Sequence, residues 1–569
     1  MERRMREELR VFIAVVFCCF GVDWLTISMK EKSSEAKVSG FITICKYLLR
    51  YFLKRVRAAQ KRVGWLRRWG ETANFALQKK YCKIFSDMKR FILSIALAAA
   101  IASPWAYGVD KGRVTTPLVH GSDHPGKRTD PDMERWRGHG LGQFIHWGVY
   151  ALAGGEWNGE TYQGAAEWIR AWRGIPNEDY DNLYKSFNPT NFDARKWARQ
   201  ARDMGAGYVI FTTKHHDGFC LWPSEYTDYT VAATPYGKDI VKEVVDAYTA
   251  EGIDVHLYFS IMDWSHEGWM YKPPVNAADS TRWESFKQFT RNQLLELLDR
   301  YPGVKGLWFD GTWDASWVAE AEFAHSLEKV LREKCPGIII GSRFRPDEYG
   351  NRRFDLNGDL IGDYDQAWER DIPTSAEQLF GNDWDCCMTI PENGWGYARK
   401  WTSYAKTPYE LTSMLSECNS MGGNLVINFG PDGTGNIRPE ECEIASEIGR
   451  WMATNGEAIK GAEGVADIDR QGWGFMTRKA DRLFMHVYNV PVNGVLRVVF
   501  GSKTYVPGGA VMLADGTPLQ IEDAGRNKRN ARLFNIFLPA GFKPDRPFVI
   551  EMKLIDNDGD TDAYQQAKV

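Results

Sequence analysis

The chain has 569 residues, more than one hydrophobic core usually organises, so we expect two or more folded units. Its composition, 44% hydrophobic and 25% charged, is typical of a globular protein. A net charge of −3 argues against nucleic acid or an anionic surface as a partner. The 23 tryptophans are unusually many, and because flat aromatic rings pack on the apolar faces of sugar rings, they favour a carbohydrate site.

The N-terminal region contains a segment that is typical of a secretory signal peptide. Residues 88–106 have a basic start, an apolar centre and small residues at the end. The preceding residues 1–87 are basic, and their apolar run at 11–22 is too short to span a bilayer. We predict that translation starts at Met88 and that residues 1–87 are a spurious extension, the alternative being a basic segment that lies on a membrane surface. The mature protein is then exported to the periplasm or the extracellular space, without stable membrane anchoring.

Residues 107–460 alternate between apolar strands and amphipathic helices. Strands are predicted at 140–148, 207–219, 253–260, 304–309, 338–340, 359–363, 387–390 and 423–430. Helices are predicted at 192–204, 239–251, 280–301, 315–334 and 439–455. Strict alternation predicts a parallel sheet, and strands that repeatedly end in polar residues predict an α/β fold, a (β/α)8-like barrel with one active face.

The C-terminal region has a different pattern of short alternating strands and turns. Residues 461–555 are therefore predicted to form an antiparallel β-sandwich, which we expect to brace the barrel, the alternative being that it binds sugar. The remaining residues 556–569 form an acidic tail. Residues 556–562 resemble a calcium loop but lack the glutamate that completes one, so a solvated tail is the better interpretation.

One predicted strand, 304–309, ends abruptly in Asp310 and Gly311. Parallel α/β folds place their chemistry at strand ends of this kind. The glycine allows a sharp turn, so that the carboxylate of Asp310 can project into a cleft. The neighbouring Trp308, Trp313 and Trp317 are expected to wall that cleft.

Other polar residues follow the ends of neighbouring strands and are expected to converge on the same mouth. They are His146, Glu167, Trp168, His215, His216, Tyr258 and Arg343. Neutral histidines with tyrosine and arginine donors suit sugar hydroxyls, and Asp310 among them would remain ionised. The adjacent histidines face opposite sides if their strand continues through them, which would leave only one in the site.

Competing chemistries find little support in the sequence. The chain has no C-x-x-C pair after the signal segment, and the first strand lacks the His-x-His of metal-dependent barrel hydrolases, so we expect no metal and no cofactor. The nearest approach to the serine-hydrolase pattern, at 418–422, lacks the first glycine. A non-catalytic sugar-binding protein remains the alternative to an enzyme.

Several of these segments together resemble a known family. Phe-Ile-His-Trp-Gly at 144–148, His-His-Asp-Gly-Phe within 213–224, Leu-Trp-Phe-Asp-Gly at 307–311 and Asn-Leu-Val-Ile-Asn-Phe-Gly within 424–433 resemble the α-L-fucosidases of glycoside hydrolase family 29. The resemblance runs from about 125 to 460. It implies a barrel followed by a β-sandwich, and exo-acting, retaining removal of terminal α-L-fucose from a fucosylated oligosaccharide or glycoconjugate. A related galactosidase is the nearest enzymatic alternative.

The resemblance also implies residue roles. Asp310 occupies the position of the family's nucleophile, and the seven polar residues named above match its fucose-binding positions. The second carboxyl of a retaining glycosidase, about 5–5.5 Å from the first, is assigned to Glu369 as acid/base, although Trp368 replaces the proline usual before it. Glu377 and Asp385 are the alternatives, and Trp395 is expected to line the site.

Overall fold

A computed structural model describes residues 120–392, 394–465, 471–500, 505–528 and 530–556 of the chain. All of these residues belong to one compact unit, 112–569. The predicted extension at 1–87, the signal segment at 88–106 and nearly all of the acidic tail at 556–569 lie outside the described residues.

Eight parallel strands form the first sheet. They are β1 Leu141–Ile145, β2 Tyr208–Lys214, β3 Asp254–Ser260, β4 Gly306–Asp310, β5 Ile339–Ile340, β6 Asp365–Glu369, β7 Trp384–Thr389 and β8 Asn424–Phe429. Their order in the sheet is β5-β4-β3-β2-β1-β8-β7-β6. The sheet curls until its two edges meet. At this junction the Asp363 amide donates to Ile340 O at 2.8 Å, and the Ser342 amide donates to Tyr364 O at 3.0 Å. The predicted (β/α)8-like barrel is confirmed.

In the described part of the chain, seven longer helices accompany the strands. They are α1 Pro131–His139, α2 Ala194–Met204, α3 Ile240–Ala250, α4 Ala277–Arg300, α5 Ala321–Lys334, α6 Pro408–Ser420 and α7 Pro439–Asn455. Side-chain caps set several starts, as where Asp193 accepts the Lys196 amide and Asp239 the Lys242 amide. The helix predicted at 315–334 is interrupted, with a short helix at Ala315–Val318 before α5.

The strand predicted at 359–363 is wrong, and the barrel strand begins only at Asp365. The side chain of Asp355 accepts the backbone amides of Asn357 and Asp359, which holds this segment in a turn. Gly362 then has a φ of +129°, and its backbone lies so close to Gly341 and Ser342 that a side chain would clash. Because of the turn and this close approach, the strand begins further along the chain than the sequence predicted.

The barrel has two apolar layers because its strands are buried on both faces. Outward-facing residues such as Ile145, Phe211 and Leu257 pack under the helices. Inward-facing residues fill the barrel centre with Phe144, Tyr208, Ile210, Tyr258, Trp308 and Val426. The inner layer forms the floor beneath the carboxyl ends of the strands, where the site lies.

The C-terminal strands form one antiparallel sheet that folds over itself, and this confirms the predicted sandwich. The strands are β9 Glu463–Gly464, β10 Gly474–Lys479, β11 Arg482–Val487, β12 Val495–Phe500, β13 Tyr505–Met512, β14 Pro518–Arg526, β15 Arg532–Phe537 and β16 Phe548–Asp556. Their order is β9-β10-β11-β16-β13-β14-β15-β12. Side chains from both layers, among them Met485, Leu496 and Phe534, share one core.

The sandwich packs against the barrel through apolar side chains such as Phe484 and Val549, and through polar contacts at helix α6. His486 is buried between Ser416, whose hydroxyl lies 3.0 Å from Nδ1, and Thr477, whose hydroxyl lies 2.9 Å from Nε2. The indole of Trp451 on α7 donates to Pro547 O at 3.1 Å. None of the helices in the described part of the chain combines the length and the apolar composition that a bilayer span requires.

Candidate active site

A cavity of about 840 Å³ opens at the carboxyl ends of the barrel strands. Its lining includes His146, Glu167, Trp168, His215, His216, Asp310, Arg343, Glu369 and Trp395, which are nine of the ten residues that the sequence placed in the site. The tenth, Tyr258, is buried in the barrel centre and reaches Asp310 with its hydroxyl. The structure therefore brings these ten residues together.

Asp310 lies at the tip of β4 with its carboxylate directed into the cavity. Gly311 follows with a φ of +65°, and a side chain there would lie 2.5 Å from Met262 Cβ, so the predicted sharp turn requires glycine. Tyr258 donates its hydroxyl to Oδ2 at 2.9 Å, and Arg343 Nη1 donates to Oδ1 at 3.2 Å. Burial raises the pKa of Asp310, although Arg343 and Tyr258 oppose that shift.

Glu369 ends β6 and contacts the same guanidinium. Arg343 donates through Nη1 to Asp310 and through Nη2 to Glu369, so one planar group holds both carboxylates at the mouth of the barrel. Burial acts to raise the pKa of Glu369, but the charge of Arg343 outweighs it and lowers the pKa below its usual value. The two carboxylates are thus neighbours in chemically different surroundings.

The two alternatives to Glu369 lie elsewhere. Glu377 is exposed in the turn of 3-10 helix at Ala376–Leu379 and is absent from the cavity lining. Asp385 is buried near the start of β7, paired in register with Asn424 at the amino end of the barrel. Burial raises the pKa of Asp385 well above its usual range, which favours a neutral carboxyl there.

His215 and His216 both line the cavity, where the sequence assigned them, and the alternative in which a continuing strand leaves only one of them in the site does not apply. The reason is local, because β2 ends at Lys214 and the chain turns through the two histidines instead of continuing as a pleated strand. Their rings lie 4.2 Å apart, and the ring of His215 stacks on that of Tyr258 at 5.6 Å.

The hydrogen bonds of His146 and His216 determine which ring nitrogens face a ligand. His146 Nδ1 lies 2.6 Å from Oδ1 of Asn428, whose amide nitrogen donates to Trp395 O, so Nδ1 is the donor. His216 Nδ1 lies 2.6 Å from Ser260 Oγ, which uses its only hydrogen on Met262 O, so Nδ1 again donates. Burial lowers the pKa of each ring to about 3. Both Nε2 atoms are therefore acceptors for hydroxyl groups.

Aromatic side chains form one wall of the cavity. Trp168 stacks between Trp172, at 5.4 Å, and Trp313, at 6.3 Å. Trp308 lies at the floor and stacks on Tyr258 at 5.2 Å. The expectation that Trp317 also walls the cleft is wrong, because its ring is fully buried under the helices and donates to Phe344 O.

Glu167 anchors the loop that carries Trp395. Its buried carboxylate accepts the Gly396 amide at 2.9 Å and the Trp395 amide at 3.4 Å. Burial raises its pKa, and these amides oppose the shift. Glu167 thus lines the cavity and positions the Trp395 loop at the same time.

Within the described part of the chain, one group of side chains has ligand atoms close enough together for a metal ion, namely His215, His216 and Asp310. Both oxygens of Asp310 already accept hydrogen bonds, and the Arg343 charge lies at 3.2 Å. A cation placed there would be repelled by the guanidinium, so the site suits an uncharged polar ligand better.

Sequence reasoning missed several residues that complete the site. Asn428 and Ser260 lie at the ends of β8 and β3, and the rule that picked out the other strand-end polar residues could have found them. Arg352, Arg353 and Arg370 line the cavity from loops, and no local signal marks them.

Comparison with known proteins identifies a family. The family model described as alpha-L-fucosidase matches residues 123–457. The plasma α-L-fucosidase of Homo sapiens is 30% identical over 363 residues, which cover 59% of this chain and 73% of that protein. The α-L-fucosidase of Branchiostoma floridae is 27% identical over 375 residues, which cover 63% of this chain and 79% of that protein.

Solved structures are also similar. The family 29 α-L-fucosidase from Bacteroides thetaiotaomicron, trapped as a covalent intermediate with 2-fluoro-fucosyl fluoride by a glutamate-to-glutamine substitution, is 46% identical with a TM-score of 0.74. That match covers 77% of this chain and 99% of the other. Isoenzyme 1 from Paenibacillus thiaminolyticus is 31% identical with a TM-score of 0.64, over 75% and 99% of the two chains.

Proposed function

The chain belongs to the α-L-fucosidase family, and from that premise we propose that Asp310 is the nucleophile and Glu369 the acid/base with which it hydrolyses terminal α-L-fucosides. The observation that carries this assignment is the guanidinium of Arg343, which contacts both carboxylates at one mouth of the barrel. A retaining glycosidase needs two carboxyl groups that are close neighbours. Neither Glu377 nor Asp385 is among the residues that line the cavity.

In the first step Asp310 attacks the anomeric carbon of fucose. The bond from that carbon to the glycosidic oxygen breaks, and Glu369 gives its proton to the departing oxygen. The product is a fucosyl ester of Asp310. Because Arg343 favours ionised Glu369 in the free enzyme, their ion pair must loosen before Glu369 can carry that proton.

In the second step a water molecule replaces the aglycone. Glu369 now takes a proton from the water, the water oxygen bonds to the anomeric carbon, and the ester bond to Asp310 breaks. Fucose leaves with its original configuration, and Glu369 is protonated again. Two inversions at the same carbon account for retention.

The remaining site residues position the sugar. The bare Nε2 atoms of His146 and His216 accept from fucose hydroxyls, while Arg343 donates to them or to the carboxylates. Trp168 and Trp313 offer flat apolar surface to the C–H faces of the ring.

Export belongs to the same proposal and is supported by the basic, apolar and small-residue pattern of 88–106. Fucosylated glycans are substrates that an exported hydrolase would meet. Mass spectrometry of the protein recovered outside the cytoplasm tests this part. Peptides that begin after residue 102 or 106 support it, and peptides from before Met88 contradict it.

Trapping the covalent intermediate tests the catalytic assignment directly. The purified protein is incubated with 2-fluoro-fucosyl fluoride, digested and analysed by mass spectrometry. We expect the fluorofucosyl group on the peptide that contains Asp310. A label on any other carboxylate would overturn the assignment of the nucleophile.

A further inference from the structure

The cavity is larger than one fucose ring requires. Its volume of about 840 Å³ lies within the range of pockets that hold ligands well beyond a monosaccharide. The sugar that departs must lie beyond Glu369, because that carboxyl protonates the oxygen joining fucose to it. The outer part of the cavity is therefore the site of the aglycone, and the side chains there decide which aglycones bind.

We propose that Arg352 and Arg370 form an aglycone subsite that selects an anionic group, a carboxylate or a sulfate ester, on the sugar next to fucose. This inference rests on the proposed function of the same cavity and specifies its substrate class. Both arginines line the cavity. Within the described residues, neither forms an ion pair with a carboxylate.

Arg370 follows Glu369 directly and is held in place by its surroundings. Its backbone has a φ of +58°, and its amide donates to Cys387 O at 2.9 Å. Its Nη1 donates to Glu392 O at 3.0 Å, and the guanidinium lies 5.7 Å from the centre of the Trp395 ring. These direct contacts are all to neutral groups, and although the charge of Arg370 also lowers the pKa of Glu369, no carboxylate of the described residues forms an ion pair with it.

Arg352 approaches the cavity from the loop after β5. Its Nη2 donates to Thr312 Oγ1 at 3.1 Å, a neutral partner on the loop that follows Asp310. Burial and the nearby charge of Arg343 both lower the pKa of Arg352. An anion beside it would add to the effect of Asp310 and Asp314, whose charges already oppose this lowering without forming an ion pair with Arg352.

The other charges at this rim do not cancel the pair. Arg353 also lines the cavity, but Asp365 binds it through two nitrogens, with Nη2 at 2.6 Å and Nε at 3.0 Å. Glu392 adds one exposed carboxylate to the lining, and in the described structure it makes no ion pair with either arginine. Glu369 interacts electrostatically with Arg370 and Asp314 with Arg352, but among the described residues neither carboxylate forms an ion pair with these arginines, so both guanidinium groups can still bind an anion.

Matched aryl α-L-fucosides test the proposal. The 3-carboxyphenyl and 3-sulfophenyl fucosides are each compared with the neutral 3-carbamoyl or 3-sulfamoyl counterpart, and the readout is the ratio of kcat/KM within each pair. For Arg352→Gln and Arg370→Gln we expect the ratio to fall about tenfold, the usual effect of one charge-assisted hydrogen bond. The substrate pair whose kcat/KM ratio falls more identifies the preferred anion.

A matched control is Arg199→Gln, which removes the same charge from the outer surface of α2, where Arg199 contacts Asp193. It should leave both ratios unchanged. The wild-type ratio should also fall at 0.5 M salt, because screening weakens an exposed ionic contact, and this readout needs no variant. If neither substitution and no change in salt alters the kcat/KM ratios, the inference is overturned. Hydrolysis of the fucosides in that case would still support the proposed function. A protein that cleaves none of the fucosides would overturn the proposed function itself.

Discussion

Nδ1 of His146 lies 2.6 Å from Oδ1 of Asn428, and this contact fixes the ring nitrogen that faces the cavity. Toward His146 the side chain of Asn428 acts as an acceptor, because its amide nitrogen already donates to Trp395 O at 2.7 Å. One residue at the end of β8 thus sets both the tautomer of a ligand-binding histidine and the position of an aromatic wall.

Replacing Asn428 by alanine should therefore reduce sugar binding. His146 loses its fixed tautomer and the Trp395 carbonyl loses its donor, so we expect kcat/KM on an aryl α-L-fucoside to fall about tenfold or more. The matched control is Asn191→Ala, in an exposed loop where Asn191 contacts Thr434. Equal activity of the two variants would show that the contact with His146 does not matter.

The hydroxyl of Tyr258 should control the ionisation of the nucleophile. Its hydrogen bond to Asp310 stabilises the carboxylate, so Tyr258→Phe should raise the pKa of Asp310 further above its usual value. Because the nucleophile must be ionised, the limb of the kcat/KM profile that Asp310 sets should move to higher pH. Tyr301→Phe, which removes a hydroxyl that contacts Asp239 outside the site, should leave that limb in place. An unmoved limb in Tyr258→Phe would argue against Asp310 as the group that sets it.

Glu369 should set the other limb of the same profile. Burial acts to raise its pKa, and the charges of Arg343 and Arg370 lower it below the usual value. The acid must be protonated, so activity should be lost as pH rises, and Arg370→Gln should move this loss to higher pH. A shift to lower pH would contradict the assignment, and Arg199→Gln controls for the change in net charge.

Much of this site was predictable because strand ends carry a local signature. Asp310 and Gly311 follow an apolar strand, and both the polar tip and the turn appeared as expected. Glu369 had no such signature, because the segment before β6 is held in a turn by Asp355, so it needed the family resemblance. Arg352 and Arg370 lie in loops, where tertiary contacts with Thr312, Glu392 and Trp395 decide the orientation.

The contact between barrel and sandwich should depend on pH through His486. Burial lowers its pKa to about 3 in the folded protein, against about 6.5 when unfolded. Between these values only the unfolded chain takes up the proton, so the free energy of unfolding falls as pH falls.

His486→Gln keeps polar atoms near Ser416 and Thr477 without this titration. From pH 7 to pH 5 the stability of the wild type relative to this variant should fall by about 2 kcal/mol, measured by urea unfolding at both pH values. His124→Gln, at an exposed position, is the control. A difference that does not change with pH would mean that His486 is protonated in the folded protein.

The most direct test of the central claim is hydrolysis of an aryl α-L-fucoside by Asp310→Ala and Glu369→Ala, beside Glu377→Ala and Asp385→Asn. We predict that Asp310→Ala loses nearly all activity, by a factor of about 10⁴ or more, since the covalent step is lost. Glu369→Ala should lose less, because a good leaving group needs little protonation, and azide should partly restore it. Glu377→Ala should retain wild-type rates. Wild-type behaviour of Glu369→Ala on a poor leaving group, or near-complete loss in Glu377→Ala, would contradict the assignment of the acid/base.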